Sequence, residues 1–192
     1  MLSNSQPELK LKIMNIYKIP FADGEITVRV RDERDIPAHL DYLYNSPPEF
    51  LKSVGFAPEK FLPQAEMEQH IRNLIANPKP LAMAAEFKNR TVAMVFLDLK
   101  NPQDHVPRLH FHMFDSSLRG QGLGGLIFKA AVNGFYKIYG YRTFYIEPRS
   151  NNVPMNALMK KMGFRHLQDR TLKAGPMTPD LEVSQYEILA PL

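Results

Sequence analysis

The sequence contains no cysteine, and this absence excludes several kinds of chemistry. Without thiols the chain cannot form a disulfide, bind a metal through thiolates or use a cysteine nucleophile. It also lacks any apolar run approaching the roughly 20 residues that a membrane-spanning helix needs. The first 25 residues carry charged and polar side chains where a secretory signal would have a long apolar segment. A cytoplasmic protein that contacts no membrane is therefore expected.

The composition is that of an ordinary soluble domain. The chain has 192 residues, of which 44% are hydrophobic and 23% charged, enough for one domain with a sizeable core. We expect an N-terminal extension over residues 1–24 and a single domain over 25–192. The net charge is +4, and the basic residues are scattered as on a solvated basic surface. Such a surface can attract an anionic cofactor, and a nucleic acid partner is not expected because no binding motif accompanies the charge.

Hydrophobic periodicity predicts strands and helices in mixed order. Period-two alternation or short apolar runs indicate strands, with an edge strand at 9–13, then 26–31, 81–87, 91–100, 108–114, 142–147, 164–168 and 183–189. Helical spacing and end signals indicate helices at 35–44 with Asp35 as N-cap, 66–76, a long one ending before Gly140, and 152–162. Ser46-Pro47-Pro48 ends the first of these helices, and a proline-punctuated segment separates it from the helix at 66–76.

The most informative stretch is Arg-Gly-Gln-Gly-Leu-Gly at 119–124. It follows an apolar strand and opens a long amphipathic helix. A glycine-rich turn at a helix start presents bare backbone N–H groups and the positive end of the helix dipole, which together hold a phosphate or pyrophosphate. Arg119 adds a positive charge at the entrance. The turn therefore predicts a phosphorylated cofactor held on backbone amides.

The same glycines also match a dinucleotide-binding fingerprint. Gly120, Gly122 and Gly125 have the G-x-G-x-x-G spacing, and Glu147 lies at a strand end downstream. That fold needs several further strand–helix units after the fingerprint. Residues 148–192 contain patterns for one helix and two strands, and a β-meander precedes the turn, so this interpretation is set aside.

The order of strand, R-x-x-G-x-G turn, long helix, strand and a helix ending in Gly163-Phe164 resembles the GCN5-related N-acetyltransferase (GNAT) superfamily over roughly residues 26–190. The resemblance implies an α/β (α+β) fold: a mixed, mostly antiparallel twisted sheet flanked by helices. It also implies that the two central parallel strands, 109–114 and 143–147, splay apart.

The resemblance further implies acetyl-CoA as cosubstrate and no metal. The pyrophosphate would lie on the turn, whose residues are Arg119, Gly120, Gln121, Gly122, Leu123, Gly124 and Gly125. The main chain of Phe114 and Asp115 would hold the pantetheine arm as an added strand would. Asn152 would contact the same arm, although capping of the following helix explains this asparagine equally well.

Acetyl transfer to an amine needs a base that removes the amine proton. His110 and His112 share one face of the strand before the turn, and His110 matches the second member of a histidine pair in the arylalkylamine branch of the superfamily. Glu147, on the neighbouring strand, is the third candidate. The alternatives are two structural histidines and an ordinary solvated carboxylate. Met159 stands where many superfamily members have a tyrosine that protonates the leaving thiolate, so the proton donor is open among Tyr141, Tyr145, Ser150 and no donor.

The sequence thus predicts an N-acetyltransferase that acts on a primary amine of a small molecule, peptide or protein. The alternative is a non-catalytic acyl-CoA-binding sensor or interaction module, which the missing tyrosine keeps open. The amine acceptor is the expected partner, and a homodimer is left open. Acceptor identity and the length of the acyl group are not predicted, because acceptor choice depends on segments 46–80 and 169–182, which have the least pattern.

Overall fold

A computed structural model describes residues 17–77, 81–99 and 106–192 of the chain. The strands are β1 (Tyr17–Phe21), β2 (Gly24–Val30), β3 (Ala82–Phe87), β4 (Arg90–Asp98), β5 (Arg108–Met113), β6 (Thr143–Ile146), β7 (Arg165–Leu172) and β8 (Leu181–Leu189). The helices are α1 (Ile36–Asn45), α2 (Pro48–Ser53), α3 (Gln64–Ile75), α4 (Leu123–Tyr139) and α5 (Val153–Lys161). The predicted edge strand 9–13 lies outside the described residues, and β1 occupies part of the stretch expected to be an extension.

All eight strands form one sheet in the order β1-β2-β3-β4-β5-β6-β8-β7. β5 and β6 are parallel and are connected through α4, whereas every other neighbouring pair is antiparallel. The mixed, mostly antiparallel architecture predicted from the element order is thereby confirmed.

The parallel strands diverge soon after they meet. Their register joins Arg108 to Tyr145 and Leu109 to Ile146. Beyond Leu109, β5 continues beside β4 to Met113, while the chain after β6 stays with β8 through a hydrogen bond from the Ser184 N–H to the Pro148 carbonyl at 3.0 Å. The predicted splay is confirmed, and it leaves an opening at the carboxyl end of β5.

Helices cover both faces of the sheet. On one face α4 buries its apolar side, with Phe128, Ala131 and Phe135 at 0% exposure. On the other face α1, α2 and α3 pack into a second apolar cluster, which includes Leu43, Leu51, Met67 and Ile71. Because successive side chains of a strand alternate between faces, residues of β5 contact both layers.

The sequence interpretation missed β1 and α2. Pro47 and Pro48 were expected to interrupt regular structure, yet α2 begins at Pro48. Proline is well tolerated in the first helical turn, where its missing N–H has no helical partner in any case. α2 is important for the site because its Phe50 and Ser53 line the cleft beside the start of α4.

The start of α1 is held by a buried ion pair. Asp35 is 0% exposed, and its carboxylate accepts hydrogen bonds from both terminal nitrogens of Arg29 at 2.9 Å. Asp35 occupies the predicted N-cap position of α1, but its side chain does not cap that helix and instead accepts from the Asp32 N–H in the preceding turn. Burial alone would lower the pKa of Arg29, but hydrogen bonds with Asp35 and Glu86 raise it. The pair fixes α1 relative to β2.

Candidate active site

The glycine-rich turn lies open at the start of α4. Gly120 and Gly122 have φ values of +75° and +78°, a region that side chains disfavour. A Cβ built on either glycine would meet nothing within 4 Å. α4 begins at Leu123 with Gly122 as its N-cap, so the first N–H groups of α4 have no partner within the helix. These are the features that an anion site at a helix start requires.

The next two glycines serve packing. A Cβ on Gly124 would lie 3.4 Å from the Phe111 ring, and one on Gly125 would lie 3.3 Å from Leu158. Their small size therefore lets the first turn of α4 approach β5 and α5 closely. The turn thus has one open side and one tightly packed side.

A cleft of about 1120 Å³ runs past this turn. At one end Leu126, Lys129, Pro154 and Lys161 of α4 and α5 line it. At the other end α1, α2 and β5 contribute Tyr42, Phe50, Ser53, Val54 and His112. We call the first the outer end and the second the inner end. The turn lies between them.

Arg119 connects the turn to both neighbouring elements. Its Nη2 donates to the Met113 carbonyl at 2.9 Å, and its guanidinium lies 4.4 Å from the centre of the Phe50 ring. Arg119 therefore ties the end of β5 to α2 as well as placing a positive charge beside the turn.

His112 lines the inner end and is hydrogen-bonded. Its Nδ1 lies 3.1 Å from the Tyr42 hydroxyl, and its ring centre lies 5.1 Å from that of Phe56. Burial, together with the nearby His110 and His39, lowers the pKa of His112 to about 3. At neutral pH the imidazole is uncharged and pairs with a protonated phenol, because burial also raises the pKa of Tyr42 to about 12.

His110 lies at the apex of the opening. It is the first residue of β5 after the last pair with β6, and it is exposed. Desolvation lowers its pKa, while Asp98 and Glu147 act in the opposite direction. His110 does not belong to the lining of the main cleft.

Comparisons with known proteins agree with this geometry. The family model described as "Acetyltransferase (GNAT) family" matches residues 40–164. The chain belongs to the GNAT acetyltransferase family. Among curated protein sequences, none matches it.

Solved structures share the GNAT fold. RimL, a ribosomal L7/L12 alpha-N-protein acetyltransferase in complex with coenzyme A, has 18% identity and a TM-score of 0.71, covering 91% of this chain and 99% of its own. A spermidine N-acetyltransferase from Vibrio cholerae in complex with CoA and spermine has 15% identity and a TM-score of 0.69, covering 85% and 95%. A GNAT acetyltransferase from Bacillus anthracis has 16% identity and a TM-score of 0.66, covering 92% and 98%.

The main-chain groups predicted to hold a cofactor arm are engaged elsewhere in this GNAT fold. The N–H groups of Phe114 and Asp115 both donate to the Val92 carbonyl, at 2.8 and 3.1 Å. The expectation therefore needs correction for these two N–H groups, which are turned toward β4. Strand alternation instead places the main chain of Phe111 and Met113 on the edge that faces the opening.

Asn152 caps α5, as its alternative interpretation predicted. Its Oδ1 accepts from the Met155 N–H at 3.2 Å, and the residue also lines the cleft. The sequence analysis assigned no role to Asn156, which joins α5 to its surroundings. Its Nδ2 donates to the carbonyls of Arg149 and Asn152, both at 2.9 Å. Its Oδ1 accepts from the Tyr186 hydroxyl at 3.1 Å. An asparagine inside a short helix was the available signal, since this residue competes with helical hydrogen bonding.

Glu147 is a buried ionic centre rather than a solvated carboxylate. Its side chain is 3% exposed and pairs with Arg108 at 2.8 Å and Arg170 at 2.6 Å. Gln185 donates to the same carboxylate at 2.8 Å. The sequence expectation of solvent exposure is wrong, because strands β5, β7 and β8 converge on this position. With its oxygens so engaged, Glu147 is poorly placed to accept a substrate proton.

The residue at the position of the family's usual tyrosine cannot donate a proton to the leaving thiolate. Met159 is 0% exposed in the core. Tyr42 lines the inner end of the cleft instead, and it comes from α1, where no sequence signal marked it as functional. Tyr141, Tyr145 and Ser150 are absent from the cleft lining.

The described ranges contain neither a metal site nor a membrane-spanning helix. Among these residues no group of histidine, aspartate and glutamate side chains could hold a metal ion. No described helix is both long and apolar enough to cross a bilayer.

Proposed function

We propose that the protein is an N-acetyltransferase that moves an acetyl group from acetyl-CoA to a primary amine of a small molecule, peptide or protein. The observation that carries the proposal is the open glycine turn of α4 next to the opening between β5 and β6. Support comes from family membership and from two structural neighbours in complex with coenzyme A. Acetyl-CoA would supply an activated thioester.

The residues present fit such a cosubstrate from the outer end of the cleft to the β5 edge. The pyrophosphate would be bound by the N–H groups at the start of α4, from Gln121 to Gly125. The pantetheine arm would run along the β5 edge of Phe111 and Met113. At the outer end, Lys129 and Lys161 are placed to bind a terminal phosphate.

His110 is the base in this proposal. Its backbone lies just beyond the Leu109–Ile146 pair, so an acyl arm that entered the opening would end beside it. It would accept the proton from the attacking amine nitrogen. Neutral His112, held by Tyr42, would keep the inner end dry and ordered.

A non-catalytic acyl-CoA-binding module is the second candidate, favoured by the buried Met159 at the position of the family's tyrosine. The two candidates differ in one measurement, the release of free CoA thiol from acetyl-CoA with a panel of amines. Amine-dependent release supports the enzyme, whereas tight binding without release supports the module.

The first prediction concerns the turn. We expect Gly122→Val to weaken acetyl-CoA binding beyond detection by calorimetry, because the side chain would project into the open space where a phosphate must approach the backbone. Gly122→Ala is expected to weaken it less. The variants are compared only after circular dichroism shows that they are folded.

Gly140 provides a matched control. It has a φ of +74° and open space for a Cβ at the opposite end of α4, so Gly140→Ala imposes the same backbone strain, about 1–2 kcal/mol, away from the cleft. Equal affinity for acetyl-CoA in wild type and a folded Gly122→Val variant would contradict the proposed site.

The second prediction concerns the outer end of the cleft. Lys129→Met and Lys161→Met are each expected to weaken CoA binding roughly 2- to 5-fold, since exposed ion pairs contribute little. Neither change should affect 3′-dephospho-CoA. Lys160→Met is the control, because Lys160 adjoins Lys161 on α5 but does not line the cleft. The same loss with both ligands would place the lysines away from the 3′-phosphate.

A further inference from the structure

We infer that the acceptor carries its amine on an apolar body with no second positive charge. The inference rests on the proposed function and names the substrate class of its inner end. It draws on the side chains that form this end of the cleft and on their charges.

The walls of the inner end are aromatic. Tyr42 and Phe50 line it with ring centres 6.0 Å apart. Phe114 stacks on Tyr42 at 4.7 Å, and Phe56 packs behind His112 at 5.1 Å. A surface of this kind favours an aliphatic or aromatic group, because burying it removes apolar area from water.

The charges exclude a second cation. Of the described residues that line the cleft, none is aspartate or glutamate, whereas Arg119, Lys129 and Lys161 are positively charged. Arg119 lies directly over Phe50, at the inner end. His112 is neutral and cannot offset the charge of a bound ammonium. A second ammonium would therefore lie beside a guanidinium, and no carboxylate of the described cleft lining could pair with it, which is unfavourable.

The acceptor amine itself gains from the same setting. A positive and apolar surrounding disfavours the ammonium form and favours the neutral amine, which is the form that attacks a carbonyl. A mono-amine thus meets both requirements of the inner end. A polyamine meets neither requirement. The Vibrio cholerae neighbour was solved with spermine, and that binding is a property of that protein.

A matched pair of amines tests the inference. Hexylamine and 1,6-diaminohexane have the same length and differ by the second amine. With acetyl-CoA at saturation and thiol release as the readout, we expect kcat/KM to be at least about 10-fold higher for hexylamine, because an unpaired charge in an apolar site is strongly rejected. Benzylamine should also be a substrate. Equal or better use of the diamine overturns the inference.

A charge introduced at the inner end provides the second arm. Ser53 is exposed at the end of α2, lines the cleft, and donates its hydroxyl hydrogen to the Phe50 carbonyl. Ser53→Asp should lower the hexylamine preference about 3- to 5-fold by pairing with the second ammonium. Ser53→Asn has nearly the same size without the charge and should leave the preference unchanged.

Calorimetry with acetyl-CoA separates the two levels of the proposal. If the wild-type protein does not bind acetyl-CoA, the result would count against the proposed function. Normal binding with preference for the diamine, or with turnover of neither amine, would count against the acceptor class alone. A Ser53→Asn variant that shifts the preference as much as Ser53→Asp would show that charge does not decide it.

Discussion

Replacing His110 with alanine is expected to lower kcat about 10²- to 10⁴-fold while leaving acetyl-CoA affinity nearly unchanged. This is the usual contribution of a positioned general base, and His110 contacts the opening at its apex rather than the glycine turn. The measurement is steady-state thiol release with hexylamine, together with calorimetric binding of acetyl-CoA. A variant that loses affinity and kcat together would indicate a structural histidine.

The pH profile provides an independent check of the same assignment. The neutral imidazole is the active form of a base, and desolvation lowers the pKa of His110. The acidic limb of kcat/KM that reports this group should therefore lie below the ordinary histidine value of about 6.5. The His110→Ala variant should lack that limb.

Two neighbours serve as controls. His112→Ala shares the face of β5 but removes an imidazole that is already hydrogen-bonded to Tyr42. Glu147→Gln removes the charge from the rival carboxylate. Because Arg108 and Arg170 pair with Glu147, the stability of this variant must be measured as well as its rate of thiol release. If His110→Ala retains activity while folded Glu147→Gln loses it, the base lies on the neighbouring strand. If none of the three variants lowers activity, the protein uses solvent as base or does not catalyse transfer to these amines.

Replacing Asp35 with alanine is expected to lower the free energy of unfolding by about 3–5 kcal/mol. Removing one partner of a buried ion pair leaves the other charge uncompensated. Arg29 would keep Glu86 at 2.7 Å but lose both hydrogen bonds to Asp35, and Thr91 would lose its acceptor as well. Denaturant unfolding followed by circular dichroism measures the change. Because the pair fixes the start of α1, the variant should also misplace Tyr42 and lower activity.

The controls for Asp35 separate charge from burial. Asp35→Asn retains the shape and one acceptor oxygen, so its loss should be smaller than that of Asp35→Ala. Glu49 pairs with Lys52 on the surface at 85% side-chain exposure, and Glu49→Ala should change stability by less than about 1 kcal/mol. A similar small loss for Asp35→Ala would show that the buried pair contributes little.

Local signals in the sequence predicted much of the fold. The apolar face of α4 and its end at Gly140 were predicted from helical spacing and a glycine stop signal, and Gly140 is the C-cap with a φ of +74°. The turn at 119–124 was predicted because glycine has no side chain and readily adopts a positive φ. Such features depend on residues close together in the chain, so periodicity and residue type are sufficient to identify them.

Only the tertiary structure decided which groups are available for chemistry. Glu147 was predicted at a strand end, but its burial depends on Arg108 and Arg170, which come from distant strands. The main chain of Phe114 and Asp115 was predicted to hold a cofactor arm, but both N–H groups donate to the Val92 carbonyl of β4. Tyr42 on α1 and His112 on β5 are far apart in sequence but are hydrogen-bonded to each other. Alternation indicates which residues share a face, whereas their partners depend on which elements pack together, because burial and hydrogen bonding across elements are properties of the assembled fold.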